Sequence, residues 1–539
     1  MPDTQLTLFD VSNIPQQLTA KDVANTMNVS VATIRNWVRE DLLNKVDEKI
    51  SLQDVESLMA TKLKSRANKL NKDSHDHSVL CDSVQRFLAE GMNGSEISVK
   101  YEESLSESYK NKEGVYYTPQ CIVSDMLKDI QNIGEKTFLD PCCGSGNFIV
   151  EAIKKGAKPE NVYGFDIDPN AVKITQKRIF ELTGYESNNI LCVDFLAIAN
   201  DYRESFDFIF TNPPWGKKLN KTEKERFSRI YQSGNSNDTC ALFYFACLRV
   251  LRKGGRIGFL LPESFFNIGS FENARESLIL LQINRLVDYG KPFKKLMTKA
   301  KAFVATKEVS NPNHTVSCES YEGNTFLRKQ EGFKNIPKHI INFDVSENEN
   351  EVLSQVFKKT HITLKNNAIW ALGIVTGNND MLFPKKIDKN YIQIFRGKDI
   401  FPDKVFDSGL YIEQSFKNCQ QVAPLEYYNA KDKIIYRFIS GKIVCFHDTE
   451  QRYILNSANL FILKDGFPVS YQQIVDLFNS DFMNWIFQKV FFTHKVLRGD
   501  LEMLPIWNEY FNIEKKFSEE TLLDYLKIEK ANGTYRVKK

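Results

Sequence analysis

The stretch Phe206-Asp207-Phe208-Ile209-Phe210-Thr211-Asn212-Pro213-Pro214-Trp215 is a near-continuous apolar run that ends in an amide, two prolines and an indole. Such a run reads as a buried strand, which puts Asn212 to Trp215 at its terminus. There the side-chain oxygen of Asn212 and the backbone carbonyl of Pro213 make two acceptors side by side. They suit a nitrogen carrying two N–H donors, such as the exocyclic amine of a heteroaromatic ring. That amine is a poor nucleophile because its lone pair is delocalised into the ring. Accepting both N–H bonds draws the nitrogen towards tetrahedral geometry and frees the lone pair, a contribution of positioning and electrostatics. Pro213 and Pro214 fix the backbone, and Trp215 offers a flat π-face for a ring. An Asn-Pro-Pro turn also ends strands for structural reasons alone, so its neighbours matter.

Upstream, the strand Thr137 to Leu139 runs into Asp140-Pro141-Cys142-Cys143-Gly144-Ser145-Gly146-Asn147-Phe148, and a helix follows from Phe148 to Lys155. A glycine loop at a helix N-terminus presents backbone N–H groups to a polar or anionic ligand. The next strand, Val162 to Phe165, ends at Asp166, 20 residues after Gly146. An acid there can hold two ribose hydroxyls. The third glycine of a dinucleotide loop is missing, because position 149 is Ile. Asp194-Phe195 follows a third strand-like run, Ile190 to Val193; the carboxylate can accept from an adenine amine and Phe195 can cover the ring. A ribose acid and an adenine reader without a phosphate-binding lysine suit a nucleoside lacking a pyrophosphate, and S-adenosylmethionine fits that description. The structural alternative for the loop is a tight turn at a buried strand end.

These residues need a scaffold. Strand, glycine loop, helix, strand and acid in that order predict an α/β, doubly wound, Rossmann-like domain. The 539 residues divide into three regions: 1–80, short and helical in pattern; 81–344, alternating strands and helices; and 345–539, aromatic and strand-rich, then helical. In the first, Thr19 with Asp22 is expected to cap a helix to Met27, Asn28-Val29 to turn, and Ser30 to cap a second helix with Ile34 and Trp37 inward. That leaves Thr33, Arg35, Asn36 and Arg39 outward, residue types that reach bases and phosphates. Another helix is expected to open at Ser51 to Asp54, followed by the basic run Lys62 to Lys72. The alternative is a small helical packing module with a solvated basic face. Net charge is only +3, so a nucleic-acid face must come from local clustering. The ten cysteines follow no paired spacing, so no zinc site is expected. No run reaches the ~18 apolar residues of a membrane span, and a reducing, cytoplasmic setting is expected.

Taken together, the motifs resemble the N6-adenine DNA methyltransferases of type II restriction–modification systems. Their order resembles the gamma group, in which cofactor loop and catalytic motif precede the target-recognition domain. The likeness runs from about Gly114 to Trp507. It implies that Gly114 to Pro119 brings Thr118 near the cofactor's methionine carboxylate. It makes Asp140, Pro141, Cys142, Gly144 and Gly146 the cofactor loop, Asp166 and Ile167 the ribose and adenine contacts, and Asp194 with Phe195 the adenine-amine pocket. Asn212, Pro213, Pro214 and Trp215 become catalytic. Trp215, where Tyr or Phe is commoner, and Phe293 become the rings that stack on a base flipped out of double-stranded DNA. Residues 345–539 become an α+β target-recognition domain, with Lys398, Arg437, Lys495 and Arg498 as its candidate DNA contacts, alongside Lys442 and Arg452. Residues 1–80 resemble the helix-turn-helix of the MerR and excisionase families. The family context implies a separate cognate restriction endonuclease as functional partner. Rival readings are N4-cytosine methylation, where Ser usually replaces Asn212, protein glutamine methylation, and a DNA-binding transcription regulator on a methylase fold.

Overall fold

The apolar runs that read as strands come together in one sheet. The computed structural model describes residues 90–539 apart from 107–108, 111–112, 217–218, 294–295, 379–386, 492–494, 532 and 539. Before residue 90 it describes 17–20, 22–23, 34, 38, 43, 45–46, 49–51, 55, 84 and 86–87. The strands of the main sheet are β1 (Phe138–Asp140), β2 (Val162–Asp166), β3 (Ile190–Cys192), β4 (Phe206–Thr211), β5 (Leu251–Pro262), β6 (Leu281–Asp288), β7 (Ala300–Val309), β8 (Thr315–Glu319) and β9 (Thr325–Lys329). Among the described residues they form a nine-stranded sheet in the order β9-β8-β6-β7-β5-β4-β1-β2-β3.

From β5 to β3 every pairing is parallel. β7 enters antiparallel between β5 and β6. The expected doubly wound half is therefore present, but the sheet continues as a mixed one, extended by the antiparallel β8–β9 pair. The strand order reverses between β1 and β4, the point where open α/β sheets bind ligands beyond the strand C-termini. Helices α1 (Gln120–Met126), α2 (Asn147–Lys154), α3 (Pro169–Thr183), α4 (Thr239–Val250) and α5 (Glu272–Leu280) belong to the same layered domain. α2 packs on β1 and β2, α3 on β2 and β3, and α4 on β5. α1 opens after Pro119, its N-cap, and stops at Met126.

Residues 368–463 carry a four-stranded antiparallel sheet, in the order Ala368–Leu372, Ala458–Leu463, Lys433–Arg437, Cys445–Asp448. A small sheet of Tyr411–Glu413, Tyr391–Phe395 and Tyr453–Ile454 flanks it, and helices Tyr471–Asn479 and Asp481–Val490 follow. This lobe has its own apolar core around Phe461, Phe487 and Trp507.

The connection between the sheet and this lobe is bolted at both ends. Arg275 on α5 is completely buried. Its guanidinium donates to the carbonyls of Phe265 (2.7 Å), Ile268 (2.8 Å) and Lys338 (3.0 and 3.1 Å). Lys338 and His339 both sit at positive φ, 54° and 52°, and the Lys338 ammonium donates to the Gly499 carbonyl at 2.7 Å.

The chain divides into two compact units, Met1–Ser104 and Leu105–Lys539. In the first, Thr19 and Asp22 cap reciprocally: Thr19 N and Oγ1 donate to Asp22 Oδ2 (3.0 and 2.6 Å), and Asp22 N donates to Thr19 Oγ1 (3.2 Å). An all-helical pattern was expected here. Ala20, Asp22, Val23, Ile34, Val38 and Val55 are helical, and in addition three short strands, Gln17–Thr19, Lys49–Ser51 and Lys45–Val46, form an antiparallel sheet. Ser51 is the last residue of one of these strands and Val55 is helical, while 52–54 lie outside the described residues. Alternation of buried Leu18 and Ile50 with exposed Thr19 and Lys49 spans only two or three residues, too short to stand out against helical periodicity. Arg35, Asn36 and Arg39, the turn Asn28-Val29 and the run Lys62 to Lys72 lie outside the described residues. Among the described residues no helix is long and apolar enough to cross a membrane.

Replacing Arg275 by Met would take the donor from the Phe265 and Lys338 carbonyls, each worth ~1–3 kcal/mol when buried and unsatisfied, while the Ile268 carbonyl keeps Phe271 N. Arg275→Met is therefore expected to lower stability by about 3 kcal/mol or more, read as a shift in urea midpoint at constant m-value. An unchanged midpoint would show that the bolt is not needed.

Candidate active site

The ends of β1 and β4 are tied by a buried acid. Asp140, only 1% exposed, accepts from Thr211 Oγ1 at 2.7 Å and from Cys142 N at 3.2 Å. Burial pushes its carboxyl up to about 7. The loop that follows turns through Gly144 (φ 49°) and Gly146 (φ 88°). A Cβ on Gly146 would lie 2.8 Å from the Thr175 side chain, so α3 can close on the loop only where no side chain intervenes. α3 then holds the loop in place. Thr175 Oγ1 donates to the Gly144 carbonyl (2.8 Å), and Arg178 donates to the Ser145 carbonyl (2.5 Å) and to Asn147 Oδ1 (2.8 Å). Asn147 Nδ2 passes the connection on to the Thr118 carbonyl at 3.0 Å.

Asp166, at the end of β2, accepts the backbone N–H groups of Gly144 (2.8 Å) and Asp168 (2.9 Å). Burial pushes it up to about 6. Asp194 is exposed and caps the turn that begins at Phe195, accepting from Leu196 N at 3.0 Å. Phe195 is buried and stacked with Phe165 and with Phe243 at 5.9 Å each. A cleft opens here. Its walls include Thr118, Asp140, Pro141, Cys142, Gly144, Asp166, Ile167, Asp194 and Phe195, with Asn212 and Pro214 at one side. Gly146 stands behind them as the N-cap of α2.

The Asn-Pro-Pro-Trp turn leans on residues 114–118. Asn212 Nδ2 donates to the Tyr116 carbonyl at 2.7 Å, and Trp215 N donates to the Gly114 carbonyl at 3.0 Å. A carbonyl can only accept, so the Asn212 amide has one orientation. Its Oδ1 is buried and has no hydrogen-bond partner among the described residues. Gly114 sits at φ 68°, and a Cβ there would lie 2.3 Å from the Trp215 carbonyl oxygen. Trp215 and Phe293 meet edge to face at 5.3 Å, and both approach Tyr116, at 6.0 and 5.5 Å. The two expected stacking rings thus share a cage with a third.

Sequence reasoning missed Tyr116, Thr175, Arg178 and Thr211, as well as Tyr109 and Glu113 on the cleft wall. Burial, followed by the charges of Asp168 and Glu113, pushes the Tyr109 phenol up to about 12. Thr175 and Arg178 lie three residues apart on one helix face, the only local trace of their shared task.

In the second lobe Lys398, Lys495 and Arg498 are exposed and Arg437 is half-buried. Arg437 donates to the Ile400 carbonyl at 2.8 Å, and its guanidinium lies 4.6 Å from the centre of Phe401. Lys495 and Arg498 lie 5.6 and 5.7 Å from the rings of Phe438 and Trp370. Arg452 is committed elsewhere: it pairs with buried Asp448 at 2.7 Å and with Glu450 at 2.5 Å.

Gly114→Ala is expected to push the Asn-Pro-Pro-Trp turn away and lower turnover by about 10²-fold, the effect of a roughly 1 Å misplacement. Gly184, at φ 72° with open space beside it, supplies the control. Gly184→Ala carries the same backbone strain and should leave turnover within about twofold, since strain at a remote helix end costs only ~1 kcal/mol of stability. Equal effects of the two in a steady-state assay would remove the steric argument.

Comparison with known proteins identifies the family. Residues 97–287 match the N-6 DNA Methylase family, and residues 392–506 match the TaqI-like C-terminal specificity domain. The chain is 42% identical over 406 residues to Type II methyltransferase M.VspI of Vibrio sp. (strain 343), spanning 74% of this chain and 98% of that protein. It is 25% identical over 192 residues to Modification methylase CviBIII of Paramecium bursaria Chlorella virus NC1A, spanning 35% of this chain and 48% of the relative. Among solved structures, the Type IIL restriction-modification enzyme MmeI in complex with DNA aligns with a TM-score of 0.48 and 14% identity, over 76% of this chain and 69% of that one. The chain belongs to the N6-adenine DNA methyltransferases of restriction–modification systems, with a methylase domain followed by a TaqI-like specificity domain.

Proposed function

We propose that this methyltransferase takes its methyl group from S-adenosylmethionine and delivers it to the N6 amine of an adenine turned out of double-stranded DNA. The observation that carries the reading is the orphaned Oδ1 of Asn212, buried beside the cleft with its amide orientation dictated by Tyr116. A buried acceptor without a donor is a ~1–3 kcal/mol liability, and an amine N–H supplies the missing donor. The Pro213 carbonyl is assigned to the second N–H. The Tyr116, Trp215 and Phe293 rings are assigned to the base, which must leave the duplex to reach them.

The residues around the glycine loop fit S-adenosylmethionine, whose sulfonium supplies an activated methyl. Asp166 is assigned to the ribose hydroxyls, Ile167 and Phe195 to the adenine ring, and Asp194 to its amine. Thr118 and the loop Asp140 to Gly146 are assigned to the methionine end. Residues 81–344 carry the chemistry in this reading and residues 345–539 the site choice, with Lys398, Arg437, Lys495 and Arg498 facing the duplex. Arg35, Asn36 and Arg39 are assigned to a second DNA contact within residues 1–80. The functional partner is a separate restriction endonuclease, from which methylation protects the DNA of the cytoplasm.

Asn212→Ala is expected to abolish transfer to duplex DNA while S-adenosylmethionine still binds. Turnover above about a tenth of wild type, a loss under ~1.4 kcal/mol of barrier, would remove the assigned role.

Asp166→Ala should weaken cofactor binding, since a charged hydrogen bond is worth ~1.5–3 kcal/mol. In the wild type the carboxylate, raised to about 6, must be ionised to accept from both hydroxyls. Affinity is therefore expected to fall as pH drops through about 6 and to level off above it. The raised value also means that the folded form binds the proton more tightly than the unfolded one, so this group's contribution to stability falls as pH rises through the same range. Calorimetric titration that finds a flat affinity between pH 5 and 8, or an unweakened alanine variant, would overturn the assignment; both pH values are about one to two units either side of the titration.

A further inference from the structure

Two phenylalanines stand exposed on a turn that is otherwise rigidly built. Phe401 is 37% and Phe406 46% exposed, and their rings meet edge to face at 5.0 Å. The turn Phe401-Pro402-Asp403-Lys404 closes through Phe401 N to the Lys404 carbonyl at 2.8 Å, and Ile400 pairs with Val405. Phe406 N donates to the Asp399 carbonyl at 2.8 Å, and Arg437 holds the Ile400 carbonyl from behind. Each ring carries a cation: Arg437 on Phe401 at 4.6 Å and Lys404 on Phe406 at 4.5 Å. Lys398 is exposed just before the turn, and Ile439, 64% exposed, lies beyond Arg437 where the chain pairs with Lys495.

Over a third of Phe401 and nearly half of Phe406 stay in water, and that part of each ring adds nothing to the fold, since apolar area stabilises only when removed from water. Their preorganisation means that little ordering entropy is lost on binding. Rings interleaved with cations match a partner that offers π-faces and negative charge together, which is the chemistry of bases and phosphates. Asp403 at the apex does not suit a phosphate; a carboxylate there suits a base edge that donates, such as a cytosine amine.

We propose that the Phe401–Phe406 turn stacks on unstacked bases of the bound duplex, making it a base-contacting element of the specificity domain rather than a phosphate clamp. The proposal rests on the reading of double-stranded DNA with a flipped adenine as substrate, because extrusion of one base exposes the faces of its neighbours and its former partner. It assigns the energy of the contact to the rings, with Lys404 and Arg437 steering phosphates around them.

The test compares full-length wild type, Phe401→Ala, Phe406→Ala, the double alanine variant, and Phe401→Leu and Phe401→Trp, on a fluorescein-labelled duplex carrying the site that the wild type methylates. The double alanine variant is expected to bind about tenfold or more weakly, with an unchanged salt slope because no phosphate contact is lost. Its S-adenosylmethionine affinity should match wild type, and circular dichroism should show it folded at the assay temperature, with a modestly lower thermal midpoint from the lost ring contacts. Trp at 401 should restore binding and Leu should not, because Leu has the apolar bulk without the π-face. Lys404→Ala should instead reduce the salt slope by about one. A double alanine variant that binds the duplex within about twofold of wild type overturns the proposal. So does rescue by Leu together with a wild-type dimer that the alanine variants convert to monomer, which would make the turn a self-association surface. A wild type that methylates no adenine in any duplex overturns the functional reading and this inference with it. A wild type that methylates adenine beside a double alanine variant of equal affinity overturns the turn alone.

Discussion

Asn212 donates an amide N–H to the Tyr116 carbonyl across 2.7 Å, and that bond decides which way the amide faces. Because the partner can only accept, the oxygen is left turned away from the backbone and without a donor among the described residues. The neighbouring bond from Trp215 N to the Gly114 carbonyl fixes the same two segments a second time. Their approach leaves no room for a side chain at 114. The segment 114–118 therefore serves two sites at once. Its carbonyls hold the Asn-Pro-Pro-Trp turn, its Tyr116 ring enters the aromatic cage, and its Thr118 carbonyl meets the glycine loop through Asn147. An acceptor held unsatisfied and aimed is a preorganised electrostatic group, needing no reorganisation when a donor arrives.

The topology makes this convergence possible. β1 and β4 are adjacent, yet their C-terminal loops diverge because the strand order reverses between them. The glycine loop leaves from β1 and the Asn-Pro-Pro-Trp turn from β4, and Asp140 with Thr211 ties the two exits together. Residues 71 positions apart thus sit within one hydrogen bond. Placement of the glycine loop against the Asn-Pro-Pro-Trp turn is set by the sheet, while the TaqI-like specificity domain falls in a lobe carried on a separate core.

What could be read from the sequence was whatever is written locally. Apolar runs ending in Asp140, Asp166, Asp194 and Asn212 are strand ends because periodicity and length say so, and each polar residue falls where a strand stops. The residues that hold those ends carry no such mark. Tyr116 acts through a carbonyl that every residue has. Thr175 and Arg178 act across 31 or more positions, and Arg275 reaches a carbonyl 63 positions away. A lone charge in an amphipathic helix reads as solvated surface until tertiary contacts bury it. Arg452 shows the converse: it was grouped with phosphate contacts, yet Asp448 and Glu450 occupy it. The strands at Gln17–Thr19 and Lys49–Ser51 were invisible for lack of length. Phe401 and Phe406 counted only as aromatic composition until their exposure was known.

The cleft also has a charge balance that bears on turnover. Burial lifts Asp140 and Asp166, and further acids add to it: Asp166 raises Asp140, and Asp168 raises Asp166. Carboxylates held close in a poorly solvated wall are each harder to ionise than they would be alone. A cationic ligand relieves that repulsion, and a neutral one of the same shape does not. S-adenosylmethionine carries a sulfonium charge that is lost with its methyl group. Under the proposed reading, the same acids that position the cofactor bind its charged form more strongly than its demethylated product. The attraction acts over the few ångströms where water is thin, so it weighs on the ligand inside the cleft and little on one already outside. In that reading the geometry that raises the carboxylates is also the geometry that distinguishes the charged cofactor from its demethylated product.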